Sequence, residues 1–308
     1  MGRVVFNLIK RNTLFLFFYN YLSKVKGRYV SDRRFYENTY KSIFGRDLDI
    51  NHPQRLTEKI QWLKLYDRKS FYVICADKYA ARSYLSEKFG NSYLIPLLFE
   101  TTNVDDIRED NIPNCHCILK PNHDSGHYVI IRDKKDVDFK ELRNKCRDWL
   151  SHNYYTVSRE WQYKNINPRR IIVEKLLETK EGKLPNDYKL HYFNGKLQFV
   201  YVSFDREGIN DRCIYDKEWN RLPFVWVPQE TYRETMNTAD VPRPESFDKM
   251  VELGNSIAVD FKYVRVDFYD VDGKLYFGEI TLYHGSGYDK FYPDHYDLEY
   301  GKRLNLEL

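Results

Sequence analysis

The sequence predicts an α+β protein in which a mainly helical N-terminal region precedes two lobes, each built of strands and helices. Apolar residues before position 76 recur at helical spacing, as at Leu56, Ile60 and Leu63. From Cys115 onward the period shortens to two. Two dipeptides, Asn194-Gly195 and Asp272-Gly273, stand between strand-forming runs, the strongest short-range signal for a hairpin. With no internal repeat or low-complexity linker, the divisions fall at 1–75 (helical region), 76–167 (first lobe) and 168–308 (C-terminal lobe).

In chain order, residues 4–22 are rich in Phe, Leu and Tyr but are interrupted by Lys10 and Arg11. No apolar run approaches the roughly 20 residues a membrane span needs. No small-residue cleavage site of a signal peptide follows. With Lys24, Lys26 and Arg28 behind it, the stretch fits a helix lying on anionic lipid and fits a packed amphipathic helix equally. Pro53 announces a helix over 56–66. A second helix is expected over 77–89, stopped by Gly90, and then a short strand at 93–96. Residues 117–119 read as a strand, 120–127 as a polar loop and 128–131 as the returning strand. Residues 139–154 are expected to be helical, and the β-branched run 171–173 to be a buried strand. Hairpins 189–193/197–202 and 264–269/275–280 follow, with a helix over 247–259 between them.

The chain has 308 residues, enough for a sizeable core. Its net charge of +4 suits an anionic ligand or membrane surface and is far below that of a dedicated nucleic-acid binder. Aromatics make up 17% of the chain, with 27 Tyr, which fits core filling and also stacking on sugars or bases. Five cysteines without CxxC spacing suggest a reducing, cytoplasmic setting. In Cys115-His116-Cys117, strand alternation puts both sulfurs on one face, so buried thiols are expected rather than a metal site.

Three constellations carry chemistry. In Lys120-Pro121-Asn122-His123-Asp124-Ser125-Gly126, a strand ends in a lysine and leads into a glycine-containing loop. Such a loop can gather an ammonium and backbone N–H groups around phosphate oxygens. It is not a Walker A loop, and a lysine before a hairpin is commonly a plain surface residue. Next, Arg265 and Asp267 stand on one strand of a hairpin and Glu279 on the other. Antiparallel pairing can bring the two carboxylates together, where they repel unless a cation lies between them. Magnesium takes such oxygen ligands and shares them with nucleotide phosphates, whereas a surface salt-bridge set fits the same residues. The third constellation is Glu174 after the 171–173 run, followed by Asp187-Tyr188-Lys189, a place from which adenine or ribose could be read.

In this order the stretches resemble the ATP-grasp ligases and, more narrowly, the TupA-like ATP-grasp family linked to cell-surface polysaccharide synthesis. The narrower resemblance rests on Lys120 to Gly126, Arg159-Glu-Trp-Gln-Tyr-Lys164, Asp187-Tyr-Lys189 and Gly278-Glu-Ile-Thr-Leu-Tyr-His-Gly-Ser-Gly287, within a similarity over about 35–300. It implies an ATP-grasp fold clamping ATP between two α+β lobes. Lys78 and Lys120 would hold the phosphates, with His123, Asp124, Ser125 and Gly126 in a lid. Glu174 and Leu177 would border adenine, Asp187 would meet the ribose, and Lys175 and Lys189 would also bind the nucleotide. Arg265 would stabilise phosphoryl transfer, and Asp267 and Glu279 would bind magnesium. Thr281 stands where many relatives have asparagine, which puts the second metal position in doubt. His284 is a candidate general base. Arg159, Tyr163, Lys164, Arg206, Tyr283, Ser286 and Lys290 are candidates for acceptor contacts. The helical N-terminal region differs from the usual Rossmann-like leading domain.

The implied reaction joins an amine or amino acid to a carboxylate through an acylphosphate. The carboxylate would be a uronic acid of a capsule or lipopolysaccharide glycan, or of its lipid-linked or nucleotide-linked precursor. The expected setting is cytoplasmic, at the inner membrane face if the N-terminal helix binds lipid. A glycosyltransferase could use Asp270-Val271-Asp272 to bind a metal–nucleotide-sugar, but these residues fall at a hairpin turn. A sugar kinase could share the same cradle. His123-Asp124-Ser125 cannot form a hydrolase relay, because adjacent loop residues do not let a histidine bond both partners.

Overall fold

The computed structural model describes residues 30–306. The expected amphipathic stretch 4–22 and the basic cluster Lys24, Lys26 and Arg28 lie outside them. Among the described residues no helix is long and apolar enough to cross a membrane.

Helix α1 (Asp32–Phe44) opens on Ser31, whose hydroxyl oxygen accepts from Arg34 N–H at 3.3 Å. Helix α2 (Leu56–Tyr66) has the predicted bounds. Glu58 folds back to accept from the N–H groups of Gln54 and Arg55, both at 2.9 Å, while Leu56, Ile60 and Leu63 go into the core. Helices α3 (Phe71–Ala76) and α4 (Ala80–Phe89) follow. The helix expected from 77 starts at Ala80, because Asp77 turns its carboxylate onto the N–H groups of Tyr79 and Ala80 at 2.8 and 3.2 Å.

The first sheet contains β1 (Leu97–Thr101), β2 (Cys117–Pro121), β3 (Val129–Ile131) and β4 (Ile171–Lys175), all antiparallel in the order β1-β4-β2-β3. The strand expected at 93–96 is instead a 3-10 turn (Asn91–Tyr93), and β1 begins after Pro96. Pro96 has no N–H to donate, though its carbonyl accepts from Lys175 N–H at 2.9 Å. Helix α5 (Phe139–Ser151) stops three residues before the expected 154, and α6 (Tyr155–Ser158) and α7 (Trp161–Asn165) are short turns beyond it. Cys117, Leu119, Ile131, Ile171 and Val173 point to one face and pack with Leu142, Cys146 and Trp149 of α5. By alternation Ile118, Lys120 and Glu174 point to the other. β4 lies past the expected division at 168 yet is an inner strand of this sheet, so the lobes part between 176 and 186.

The second sheet runs β10-β9-β5-β6-β7, with β5 (Asp187–Phe193), β6 (Lys196–Phe204), β7 (Asp211–Tyr215), β9 (Tyr263–Val271) and β10 (Lys274–Thr281). Both predicted hairpins are present, with φ of +47° and +76° at Asn194-Gly195 and +53° and +86° at Asp272-Gly273. Helix α8 (Phe247–Ala258) covers one face with Phe247, Met250, Leu253 and Ile257, against Leu190, Val264 and Phe268. The other face carries the polar row described below. β8 (Val225–Val227) pairs with β11 (Lys290–Tyr292), and α9 (His295–Arg303) ties the C-terminal end to α2. There Asp297 accepts from the N–H and hydroxyl of Thr57 at 2.9 and 2.8 Å.

Helix α9 meets the start of α2 at Gly301, where a Cβ would lie 2.1 Å from the Gln54 carbonyl oxygen and 2.7 Å from Leu56 N. Backbone at that distance cannot give way as a side-chain tip would. Gly301→Ala should therefore destabilise the protein by about 3 kcal/mol, read as a lower urea midpoint at unchanged m-value.

Candidate functional site

Between the two sheets lies a cleft of about 240 Å³. The first sheet supplies Ile118, Lys120, Ile130 and Glu174, and the linker to the second adds Leu176, Leu177, Leu184 and Pro185. This apolar half with a few polar groups suits a flat ring system. Lys78 enters from the start of α4, and Glu279 and Tyr269 enter from the second sheet. Lys120 Nζ is 2.7 Å from Glu174 Oε2, and Arg82 Nη1 donates to Glu174 Oε1 at 2.8 Å. Glu174 is thus within the strand and ion-paired, rather than just beyond it. Lys78 donates to the Asp124 carbonyl, and burial draws its ammonium below the ordinary lysine value.

The loop after Lys120 has two parts. Asn122, His123 and Asp124 are buried, whereas Ser125, Gly126, His127 and Tyr128 are exposed. Asn122 donates to Asp77 at 2.9 Å and accepts from Arg170 N–H at 2.8 Å. The His123 ring reaches the carbonyls of Trp149 and His152, its Nε2 at 3.1 and 3.2 Å. His123 is therefore a root of the loop and not a group facing the cleft, as the sequence reading had it. Ser125 and Gly126 do line the cleft, and His127 Nδ1 lies 2.8 Å from the buried Asp124 carboxylate.

Opposite, three neighbouring strands present one polar row. β5 and β9 pair Asp187 with Tyr269, Lys189 with Asp267 and His191 with Arg265. β10 joins through a bulge. Counted from the Asp272-Gly273 turn, an unbroken ladder would set Glu279 opposite Val266, on the core-facing side. The register instead shifts between Phe277 and Ile280, so Ile280 faces Val266 and Thr281 faces Arg265. Gly278 and Glu279 together stand against Asp267, and Glu279 turns to the polar face. A Cβ at Gly278 would lie 3.1 Å from the Tyr269 ring and 3.2 Å from Asp267, which explains the glycine. The expected meeting of Asp267 and Glu279 thus depends on one extra residue that hairpin pairing alone does not supply.

A cation does lie between the carboxylates, and it is Arg265. Its Nε and Nη2 bond both Asp267 oxygens at 2.7 and 2.6 Å, and Nη2 also reaches Glu279 Oε1 at 2.8 Å. Lys189 bonds Asp187 and lies 3.2 Å from Asp267 Oδ2. Burial alone would raise the Glu279 carboxyl, but Lys78, Arg265 and Lys189 outweigh it and hold it at about 2. Thr281 donates to Glu279 Oε1 at 3.0 Å, whereas the other Glu279 oxygen bonds no described residue. Glu279 keeps 36% of its side chain exposed, against 2% for Asp267. Among the described residues no three His, Cys, Asp or Glu side chains form a metal cluster. A divalent ion fits here only as magnesium usually binds, on one or two carboxylates and the phosphates of a nucleotide. Glu279 is the ready ligand. Asp267 could join only if Arg265 released it.

Arg265 Nη1 lies 2.8 Å from His284 Nδ1. A guanidinium only donates, so this nitrogen accepts and the ring proton sits on Nε2, 3.2 Å from Asp289. His284 has no lone pair left for a substrate proton, and burial lowers its pKa further. The general-base role expected of it gives way to a role in orienting Arg265. Other expected groups also have structural partners. Asp270 accepts from Gly273 N–H and Asp272 from Lys180 N–H, at 2.8 and 2.9 Å, so one DxD carboxylate closes the turn and the other ties it to the linker. Cys117 is buried but Cys115 is exposed, because β2 begins only at Cys117. Arg159 pairs with Asp32, Lys290 with Gln229 and Ser286 with Lys64, whereas Tyr163 borders a small cavity with Lys78, Glu279 and Thr281. The sequence reading missed Ile118, Ile130, Leu184 and Pro185 as cleft walls, since their apolar character is that of any core strand or loop. It also missed Tyr128, 57% exposed at the lip, and Tyr269.

The TupA-like ATP-grasp family matches residues 58–305. No curated protein matches. Among solved structures, L-amino acid ligase from Bacillus licheniformis aligns at 14% identity and TM-score 0.45, over 80% of this chain and 54% of its own. D-alanine–D-alanine ligase from Helicobacter pylori aligns at 16% identity and TM-score 0.43, over 81% and 68%. The Bacillus anthracis D-alanine–D-alanine ligase complexed with ATP aligns at 17% and 0.39, over 68% and 54%. The chain thus spans about half the length of two of these three.

Burial, and next the Arg169 charge, hold His123 at about 4, below its ordinary 6.5. Below pH 6.5 the unfolded chain takes a proton that the folded chain refuses, so stability falls as pH drops toward 4. The loss should reach about 2 kcal/mol between pH 7 and 5, read from urea unfolding at each pH. In His123→Gln that part of the pH dependence should vanish.

Proposed function

The chain belongs to the TupA-like ATP-grasp family, and on that premise we propose that it is an ATP- and magnesium-dependent carboxylate–amine ligase. The observation that carries this reading is the cleft itself, with Lys78 and Lys120 on one side and the Arg265–Asp267–Glu279 row on the other. Adenine would lie between Ile118 and Ile130 and the linker residues Leu176, Leu177 and Pro185. Lys175 would stand at the same edge. Asp187, whose Oδ1 is buried without a hydrogen-bond partner, would accept from a ribose hydroxyl.

The phosphates would run past Lys78 and Lys120 toward Glu279, with the N–H groups of Ser125 and Gly126 closing over them. Magnesium held by Glu279 and Asp267 would neutralise charge building up on the β- and γ-phosphates. A carboxylate oxygen of the acceptor attacks the γ-phosphorus, and the bond to ADP breaks with its electron pair leaving on ADP. Arg265 faces the charge that develops in this step. An amine nitrogen then attacks the acyl carbon, the carbon–oxygen bond to phosphate breaks, and the departing phosphate takes the amine proton. Positioning and charge neutralisation supply most of the rate.

The acceptors follow from the family resemblance: a uronic acid of a cell-surface glycan or of its lipid- or nucleotide-linked precursor, and an amino acid or other amine. The cytoplasmic face of the membrane, where such precursors are built, is the setting this implies. A glycosyltransferase is disfavoured by the structural bonds of Asp270 within the turn and of Asp272 to the linker.

Incubation with ATP, magnesium, a uronic-acid glycan and mixed amino acids should release ADP and phosphate only when both acceptors are present. ADP with a phosphorylated sugar would make the protein a kinase, and sugar transfer without ATP would sink the nucleotide reading. Lys120→Ala and Glu279→Ala should each lower turnover about 100-fold or more, with unchanged circular dichroism. Full turnover in Glu279→Ala would remove the metal jaw.

A further inference from the structure

Helix α2 carries two buried polar side chains that the nucleotide cleft does not use. Lys64, in its last turn, is fully buried. Its Nζ donates to the Ser286 carbonyl at 3.0 Å, the Ser286 hydroxyl at 2.9 Å and Gln61 Oε1 at 3.2 Å. The three N–H groups of the ammonium thus have three oxygens. Nζ also stands 4.4 Å and 4.8 Å from the ring centres of Tyr36 and Tyr288. Gln61 donates from Nε2 to the carbonyls of Ser286 and Gly287, both at 3.1 Å. The segment they hold has Gly285, Ser286 and Gly287 at φ of +53°, +55° and +76°, three left-handed residues in succession. Ser286 carries a Cβ there, and such a conformation persists only where the surroundings impose it. A Cβ at Gly287 would lie 2.5 Å from Gln61 Nε2 and 2.7 Å from Ile60 Cγ2, so the turn is seated directly on α2. It begins at His284, whose Nδ1 accepts from Arg265 Nη1 at 2.8 Å.

The same lysine faces the first lobe. Glu160, between α6 and α7, is buried and accepts from the Gln162 amide at 2.9 Å. Burial draws the Lys64 ammonium below its ordinary value and raises the Glu160 carboxyl, and each charge opposes the shift of the other. Tyr36 of α1 donates to the neighbouring Arg159 carbonyl at 2.6 Å. The two N-terminal helices therefore gather the 159–160 segment of the first lobe and the 285–287 turn of the second around Lys64. Packing alone does not call for an ammonium, because replacing a buried charge by a packed apolar group is often neutral or stabilising. What the ammonium adds is placement of the oxygens it bonds.

We propose that Lys64 is a positioning residue for the ligase reaction, holding the 285–287 turn and through it His284 and the Arg265 guanidinium. The assignment rests on the ligase reading above and gives the helical N-terminal region a part in it. Arg265 is then set from two sides, by Asp267 and Glu279 in front and by α2 behind, through the turn.

Two variants of the full chain test this: Lys64→Met, and Lys64→Met combined with Glu160→Gln, which leaves no unpaired carboxylate behind. With ATP, magnesium, the uronic-acid glycan and amino acids saturating, both should lose about 10-fold to 100-fold in kcat. The Kd for ATP, from calorimetry, should stay at the wild-type value. The ring-nitrogen NMR signals of His284, assigned by their loss in His284→Asn, should move in both variants. Wild-type kcat in the double variant would trace the loss to an unpaired Glu160 and overturn the assignment. So would an equal loss of ATP affinity, which would make Lys64 a prop of the whole structure, and so would unmoved His284 signals. A wild-type protein without turnover would remove the ligase reading, and the His284 signals alone would then decide whether Lys64 places the turn.

Discussion

One inserted residue in β10 decides which side of the second sheet Glu279 faces, and the polar row is built around that choice. Without the bulge at Gly278, Glu279 would turn to the core-facing side beside Val266, where a lone carboxylate is costly to bury. With it, Asp267, Glu279 and Arg265 meet on the open face, beside Asp187 and Lys189 of the next strand. Placing two carboxylates together is itself unfavourable, and Arg265 removes the conflict by bonding both. Position 278 tolerates no side chain without displacing Tyr269 or Asp267, so geometry and charge depend on the same glycine.

The bulge also limits what Arg265 can do. Its five donors are largely committed to Asp267, Glu279 and His284, and the imidazole behind it packs against Trp226 at 4.4 Å between ring centres. An arginine so held is pre-oriented, and orientation gives a charge its catalytic value in a site that excludes water. The same bonds saturate Asp267. On the proposed function, metal binding by Asp267 and charge stabilisation by Arg265 would therefore compete for the same oxygens. A nucleotide polyphosphate would resolve the competition by giving the guanidinium a second anion to bond. Glu279, with one oxygen uncommitted and its carboxyl held at about 2, can take a cation without that exchange.

Much of the fold was legible because it rests on local chemistry. The Asn-Gly and Asp-Gly turns fixed both hairpins, and the 3.6-residue spacing of Leu56, Ile60 and Leu63 gave α2 its limits. Errors clustered where a single polar or imino residue overrode the pattern. Asp77 delayed a helix by capping it, and Pro96 displaced a strand by lacking an N–H. The site was legible as a set of residue types, and less so as a set of roles. Lys120, Glu174, Glu279 and Gly126 all border the cleft, but His123 and His284 are both turned to structural partners. A histidine's hydrogen bonds come from segments far away in the chain, here Trp149 and Arg265, and no spacing rule reports them.

Lys78 and Lys120, which line the cleft, are each balanced by partners within the protein. Glu174 neutralises Lys120 while drawing Arg82 from behind, and the Asp124 carbonyl holds Lys78. A buried ammonium without such partners would lose its proton or open the structure. On the proposed function, binding a polyphosphate would be an exchange of partners for these lysines. Net affinity is the difference between what the lysines gain from phosphate and what they give up from Glu174 and Asp124. This favours a ligand that also supplies apolar contact, since charge exchange alone yields little surplus. The buried root Asn122-His123-Asp124 keeps the exchange partners in place, and His127 ties the exposed 125–128 segment to that root through the Asp124 carboxylate.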